Sequence, residues 1–363
     1  MKLNQKRYTI LILFLFVSAG LHGQIINFTE TIQGGISDGE KLIRAYVTPF
    51  ERSLNTIGGT AYLNFSDTTK RSSFYIRVNY LSVTTPQNER NFEVDELGLE
   101  YIKASDPNNS IAQNFAGNDS TVYLETTNTY RVPTFTFPFY NELPIYKFTS
   151  PVGINPVLSL PFLTVGAHIQ ETYINIRFLP KLKIPGIDGT IFSYGANLQQ
   201  NMGQFIKPLG RLPFDLDLMA GFQYTIISIS PNLVPDESKI GIYLQNDNGP
   251  YDDQEFNIKS YSIPVELAIS KQIKNATIFG GVVLNIASSK VELLGNYPIY
   301  TSDPTNTFQV IVQDISDPFS YTQSYNKLLF NLGFMYRIGP VKLIGEYSFA
   351  DYNSYNIGIE TGF

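Results

Sequence analysis

Catalysis needs a base, a nucleophile or a metal-binding cluster, and this sequence supplies few of them. It has two histidines and no cysteine. His22 falls in an N-terminal leader, which leaves His168. In PFLTVGAHIQ, His168 shares an alternating face with Thr164, Gly166 and Gln170, while Leu163, Val165, Ala167 and Ile169 make the other face. A membrane-embedded lipase would need a Ser, a His and an Asn or Asp in register on the lipid side. His168 points the opposite way, so it reads as an internal hydrogen-bonder and the chain as a non-enzyme. There is no Cys/His cluster for zinc and no glycine-rich phosphate loop, so no cofactor is expected. NDNGPYDDQE, residues 246–255, gathers Asp247, Asp252, Asp253 and Glu255. Calcium takes such oxygen ligands, but the spacing does not match an EF-hand, and a solvated loop is the plainer reading.

The more informative charges are those set into apolar, alternating segments: Arg77, Arg177, Asp215, Asp217, Glu266, Arg337 and Glu346. In SFYIRVNYLSV, Phe74, Ile76, Val78 and Tyr80 oppose Tyr75, Arg77, Asn79 and Leu81. In ETYINIRF, Ile174, Ile176 and Phe178 oppose Asn175 and Arg177. The same pattern runs through DLDLMAGFQYTI, SYSIPVELAIS, NKLLFNLGFMYRIG and PVKLIGEYSF. It closes the chain in YNIGIETGF, where Tyr355, Ile357, Ile359 and Phe363 share one face. These segments run to about ten residues, the length of a tilted membrane strand. Strands of a soluble sandwich are typically about five or six. Tyr80, Phe178, Tyr224, Tyr261, Tyr336, Phe349 and Phe363 sit at the ends of the apolar rows, as interfacial girdles require. The expectation is an all-β, up-and-down transmembrane barrel, with the seven charges and His168 lining its lumen. A soluble sandwich or a two-domain β protein is the alternative.

The N-terminus fits export. A basic MKLNQKR precedes an apolar YTILILFLFV and a small-residue SAGLHG, the layout of a signal peptide over residues 1–23, cut before Gln24 or nearer Ala19 or Gly20. Losing Lys2, Lys6 and Arg7 takes the formal charge from −6 to −9, which does not suit nucleic acid. A Gram-negative outer membrane is therefore expected, with both termini periplasmic. The partners expected are outer-membrane lipid, the barrel-assembly machinery acting through the C-terminal strand, and a small hydrophobic solute.

Connector lengths agree. With the C-terminus inside, 230–256 and 291–324 fall outside, while 271–275 and Gly339–Pro340 fall inside. Residues 201–213 make a longish inner connector, and the turn near Asp351 is a short outer one. Residues 104–160, rich in Asn, Thr, Ser and Pro, could hold two strands, a folded-in loop, or both. Twelve to fourteen strands are expected, fourteen preferred, the first near 57–65, within a barrel of residues 56–363.

One segment, within residues 24–55, breaks the alternation: ISDGEKLIRAYVTPFERSL, residues 36–54. Ser37 and Glu40 form a capping box. Leu42, Ile43, Tyr46, Val47 and Phe50 follow at helical spacing, and Pro49 should stop the helix at about Thr48. So short a helix needs an apolar partner. It would pack under the periplasmic mouth or sit in the lumen as a plug.

The leader running into Gln24, the helix DGEKLIRAYVTPF, GGTAYLNFS and the final Phe together resemble an uncharacterised family of Bacteroidota outer-membrane proteins. That family is in turn similar to the long-chain fatty acid transporter barrels with N-terminal plugs. The resemblance implies a plugged barrel passing hydrophobic cargo. The Asn-Pro-Ala near the mature N-terminus of those transporters is absent here, and no functional residue carries over.

Three functions were weighed: passage of small, hydrophobic molecules past a plug; a closed barrel serving as surface receptor or scaffold through loops 230–256 and 291–324, with Tyr251, Tyr297, Tyr300, Phe319 and Tyr321; and a lipid-modifying enzyme dependent on His168. The first is the expectation.

Overall fold

A computed structural model describes residues 28–65, 72–134, 140–184, 188–206, 208–234, 243–244, 249–306 and 308–362. The signal peptide, Asp247 and the terminal Phe363 lie outside the described residues. One helix, α1 (Ile36–Gly58), precedes ten long strands: β1 (Ser72–Thr84), β2 (Val157–Ile169), β3 (Thr172–Lys183), β4 (Gly189–Asn201), β5 (Asp215–Ile229), β6 (Glu255–Ile273), β7 (Ala276–Leu294), β8 (Lys327–Ile338), β9 (Val341–Phe349) and β10 (Asn353–Gly362). Each strand pairs antiparallel with the next, and β10 closes on β1 from Tyr75↔Gly362 to Thr84↔Asn353. Closure leaves no strand at an edge, although β2 and β3 pair only over Leu163–Ile169 and Thr172–Phe178.

The strand count is ten, not fourteen. The described residues of 85–156 hold only strands of three to five residues, such as Ile102–Ala104 and Tyr123–Thr126, which are too short to span. They pair with one another and fold over one end of the barrel. The alternating stretch near 57–65 is not a strand either. It continues from α1 with every residue buried and joins no ladder.

The two ends of the barrel differ. Two-residue turns at Gln170–Glu171, Lys274–Asn275 and Gly339–Pro340, together with 202–214, make a hairpin end. The described residues of 85–156, 230–254 and 295–326 gather at the other, loop end, with the short turn 350–352, so the long and short connectors separate onto opposite ends as expected. Phe28–Gly34 packs at the loop end, where Gln33 Nε2 donates to Pro298 O at 2.8 Å, while Gly362 lies at the hairpin end. The first and last described residues are therefore at opposite ends of the barrel. The strand number is even because β1 starts and β10 finishes at the hairpin end.

The alternation reads as anticipated. Ile174, Ile176, Leu218, Phe222, Ile263, Leu267, Phe330, Leu332, Ile357 and Ile359 are exposed on the outer surface. Arg77, Asn79, Arg177, Gln199, Gln223 and Glu360 are buried inside. Along β6 the exposed row from Tyr261 to Ile269 covers roughly 26 Å at about 3.3 Å per residue, or about 20 Å of height at a tilt of roughly 40°, most of an apolar band. Tyr80, Phe178, Tyr224, Tyr261 and Phe349 lie toward the loop end and Tyr336 toward the hairpin end, so the girdle is heavier at the loop end.

Candidate functional site

The lumen is occupied by the chain's own N-terminal segment. Helix α1 enters from the loop end with Ile43, Tyr46, Val47 and Phe50 buried against the wall, beside Leu81, Leu160, Ile227 and Phe256. Leu42 faces the 85–156 excursion instead, in a cluster with Ile102, Leu124 and Tyr146. All five residues expected on the helix's apolar face are buried, Ile43, Tyr46, Val47 and Phe50 against the barrel wall and Leu42 against the excursion.

Two local expectations are corrected. The helix runs through Pro49 to Gly58. An internal proline costs roughly 3 kcal/mol, but burying Phe50, Leu54 and Ile57 returns about 1.5–3 kcal/mol each. The Ser37–Glu40 capping box does not form. The N-cap is Gly35 with no side-chain cap bond, and Glu40 pairs with Arg44 at 2.9 Å. Asp38 is the functional acid of this turn. Its fully buried carboxylate accepts backbone N–H bonds from Glu100, Tyr101 and Ile102 at 2.7–3.1 Å, tying the plug to the loop-end excursion.

Below the helix, residues 59–65 turn at Gly59–Ala61, where Ala61 has a φ of 64°, and thread toward the hairpin end, and side chains replace the missing ladder. Arg177 Nη1 donates to Thr60 O at 2.7 Å, and its Nη2 donates to Ile57 O at 3.3 Å and Tyr62 Oη at 2.8 Å. The same guanidinium lies 4.0 Å from the Tyr62 ring centroid and 4.7 Å from that of Phe162. Glu346 Oε1 accepts from Ala61 N at 3.1 Å. Gln199 brackets Asn64, accepting from its N–H at 2.9 Å and donating to its carbonyl at 2.8 Å. Arg77 Nη1 donates to Leu63 O at 2.9 Å while its Nε and Nη2 hold Glu360 Oε2 at 3.0 and 2.8 Å. Lys342 joins Glu360 at 2.8 Å and donates to Phe65 O at 3.1 Å. Higher up, Asn55 binds Ser260 and Ser289 through its amide at 2.6 and 3.1 Å, and its carbonyl accepts from Asn285. Buried backbone groups need such partners, and charged donors supply the stronger ones.

Glycine is required where the helix gives way to the thread. A Cβ on Gly58 would strike Ser262 Oγ, and one on Gly59 would fall 2.7 Å from Asn285 Cγ.

The residues expected to line the lumen therefore divide. Arg77, Arg177 and Glu346 grip the threaded segment. Glu266 and Asp217 are buried on the wall; Glu266 accepts from Asn331 Nδ2 at 3.0 Å. His168 is buried facing inward, stacked on Tyr173 at 4.3 Å. Asp215 is exposed at the hairpin-end rim, where the half-exposed Arg337 lines a small pocket with Phe65, Met335 and Lys342. Gln199, Gln223, Lys342 and Glu360 were missed. Each stood on a polar face of the alternation, but only the mid-segment charges had been singled out.

The ends of the lumen are apolar. Phe65 packs on Phe279 at 5.2 Å, with Met335 and Ile344 alongside, at the hairpin end. At the loop end a cavity of about 60 Å³ lies between α1 and the wall. It is lined only by apolar and aromatic residues, among them Tyr46, Val47, Phe50, Leu160, Ile227 and Phe256. The Tyr46 hydroxyl is turned to Val152 O at 2.9 Å. Phe115, from the excursion, roofs the cavity at 4.2 Å from the Phe50 ring. Of the loop aromatics proposed for partner binding, Tyr297, Tyr300, Phe319 and Tyr321 are buried, and the half-buried Tyr251 donates to Asp314 at 2.8 Å. These five side chains are spent on building the loop end.

An apolar outer belt, a charged lumen and a self-supplied plug define a closed β-barrel of the outer-membrane type. The chain belongs to a family of unknown function, DUF6588, whose model matches residues 1–363. A search of curated proteins gives no match. Among solved structures, it is similar to Ail, the attachment invasion locus protein of Yersinia pestis, at 9% identity over 81% of this chain and 100% of that one, TM-score 0.27. It is also similar to the translocator domain of autotransporter NalP from Neisseria meningitidis, at 9% identity over 83% and 90%, TM-score 0.27. A third is the Escherichia coli outer membrane protease OmpT, at 10% identity over 84% and 100%, TM-score 0.27. Similarity at this level assigns no activity to this chain.

Proposed function

We propose that the protein is an outer-membrane barrel that takes a small, apolar molecule into the loop-end cavity and admits it past the N-terminal segment. The loop end then faces outward and the C-terminal strand ends in the periplasm, where assembly machinery would meet it. The observation that carries this reading is the cavity's lining. No polar group is directed into it, so it suits a short alkyl or aryl body without a buried headgroup. The cavity shares Tyr46, Val47 and Phe50 with the plug helix, so occupancy and plug position act on the same surface.

Two measurements test this. Calorimetric titration of the detergent-solubilised protein with small alkanes and arenes should show binding that Val47→Trp abolishes by filling the space. Flux of the bound compound across vesicles with a lipopolysaccharide outer leaflet should rise when residues 28–65 are removed. Absence of binding to the intact protein defeats the cavity reading, and equal flux with and without the plug defeats gated passage.

A further inference from the structure

Among the described residues, the connector 202–214 differs from the other turns at the hairpin end. Gln170–Glu171, Lys274–Asn275 and Gly339–Pro340 are short, exposed and free of large apolar side chains, as water-facing tips should be. The 202–214 connector instead leaves Phe205, Ile206 and Leu212 exposed, Phe205 at 66%. It is a built element. Two 3-10 turns, Met202–Gln204 and Leu209–Arg211, are pinned by Asn201 Oδ1 accepting from Gly203 N at 2.9 Å and by Gln200 Nε2 donating to Gln204 Oε1 at 2.8 Å. Phe205 N and Ile206 N both donate to Met202 O, and Leu209 N donates to Ile206 O at 2.8 Å. The apolar side chains are thus presented on a hydrogen-bonded frame.

The strands on either side say what covers them. β4 and β5 carry Leu198 and Leu218 on the outer, apolar row, both exposed. Phe205, Ile206 and Leu212 are exposed just beyond the ends of these two strands, as is Arg211. Aromatic and aliphatic groups beside a cation are the composition of a segment lying in the headgroup–acyl boundary. We propose that the described residues of this connector, 202–206 and 208–214, form an interfacial anchor: Phe205, Ile206 and Leu212 enter the boundary of the hairpin-side leaflet, and the Arg211 guanidinium meets a lipid phosphate. The anchor sets the depth of that rim in the bilayer and is independent of what the cavity binds.

The chain contains no tryptophan, so Phe205→Trp and Leu212→Trp each give a lone fluorophore. With Phe222→Trp on the belt as a reference, each variant is reconstituted in phosphatidylcholine–phosphatidylglycerol vesicles with and without acyl-brominated lipid. Both connector variants should emit to the blue of aqueous tryptophan and lose roughly half their intensity to bromine, and Arg211→Glu should lessen that loss. Water-like, unquenched emission overturns the anchor. Blue-shifted emission insensitive to bromine also overturns it and indicates a protein contact such as a second copy. Unchanged quenching in the Arg211→Glu background removes the phosphate contact. An unquenched Phe222→Trp would instead defeat the lipid-facing belt itself.

Discussion

Arg177 donates across the lumen to the carbonyl of Thr60 at 2.7 Å, joining residues 117 positions apart in sequence. The same guanidinium reaches Ile57, Tyr62 and Gln223. Replacing it with Met leaves those carbonyls buried and unpaired, a loss of roughly 1–3 kcal/mol for each group stranded. Arg177→Lys should recover little of it, because an ammonium cannot reproduce the planar fork. Equilibrium unfolding in lipid vesicles measures both variants; parity of Arg177→Lys with the parent would show that charge alone matters there.

Asp38 holds the plug to the excursion through three consecutive backbone N–H groups. Asp38→Asn keeps one acceptor oxygen and no charge, so roughly 1–3 kcal/mol of local stability should be lost. Limited proteolysis should then cut within residues 85–156 well before the barrel. An unaltered cleavage pattern would mean that the clamp is held by apolar packing alone.

Burial pushes the Glu51 carboxyl up to about 8, although the Tyr321 hydroxyl at 3.1 Å and the Arg44 and Arg52 charges oppose the shift. Its ordinary value is 4.5, so between the two values the folded chain keeps a proton that the unfolded chain has released. Stability therefore falls as pH rises across that window and levels off above it. Glu51→Gln should flatten this slope. Melting temperature against pH for both proteins checks it, and identical slopes would remove Glu51 from the account.

Gly58→Ala sets a methyl against Ser262 and should cost about 1–3 kcal/mol through overpacking. Ser262→Gly in the same chain should restore most of the loss, since it clears the atom in the way. A melt of the double variant no better than that of Gly58→Ala would place the strain in the backbone instead.

Much of the architecture was legible in the residues. Period-two alternation marked both faces of β1, β3, β5, β6, β8 and β10, because hydrocarbon on one side and a polar interior on the other impose opposite chemistry on successive side chains. The apolar stripe Leu42, Ile43, Tyr46, Val47 and Phe50 likewise announced a helix with a buried side. Turn signals such as Gly339–Pro340 placed the hairpins.

What the sequence by itself determined was therefore which way each side chain would face and how polar its surroundings would be. It did not determine which part of the chain would provide those surroundings. GGTAYLNFS alternates like a strand, yet its backbone partners are Arg77, Arg177, Gln199 and Glu346, and only closure of ten strands brings those groups round it. Pro49 reads as a stop, and the wall packed against Phe50, Leu54 and Ile57 overrides it. The strands of 85–156 run to only three to five residues and pair among themselves, a partnership their Asn-, Thr-, Ser- and Pro-rich sequence does not announce. Direction of entry, plug seating and strand number depended on contacts between residues far apart in the chain, and local periodicity carries no record of such partners.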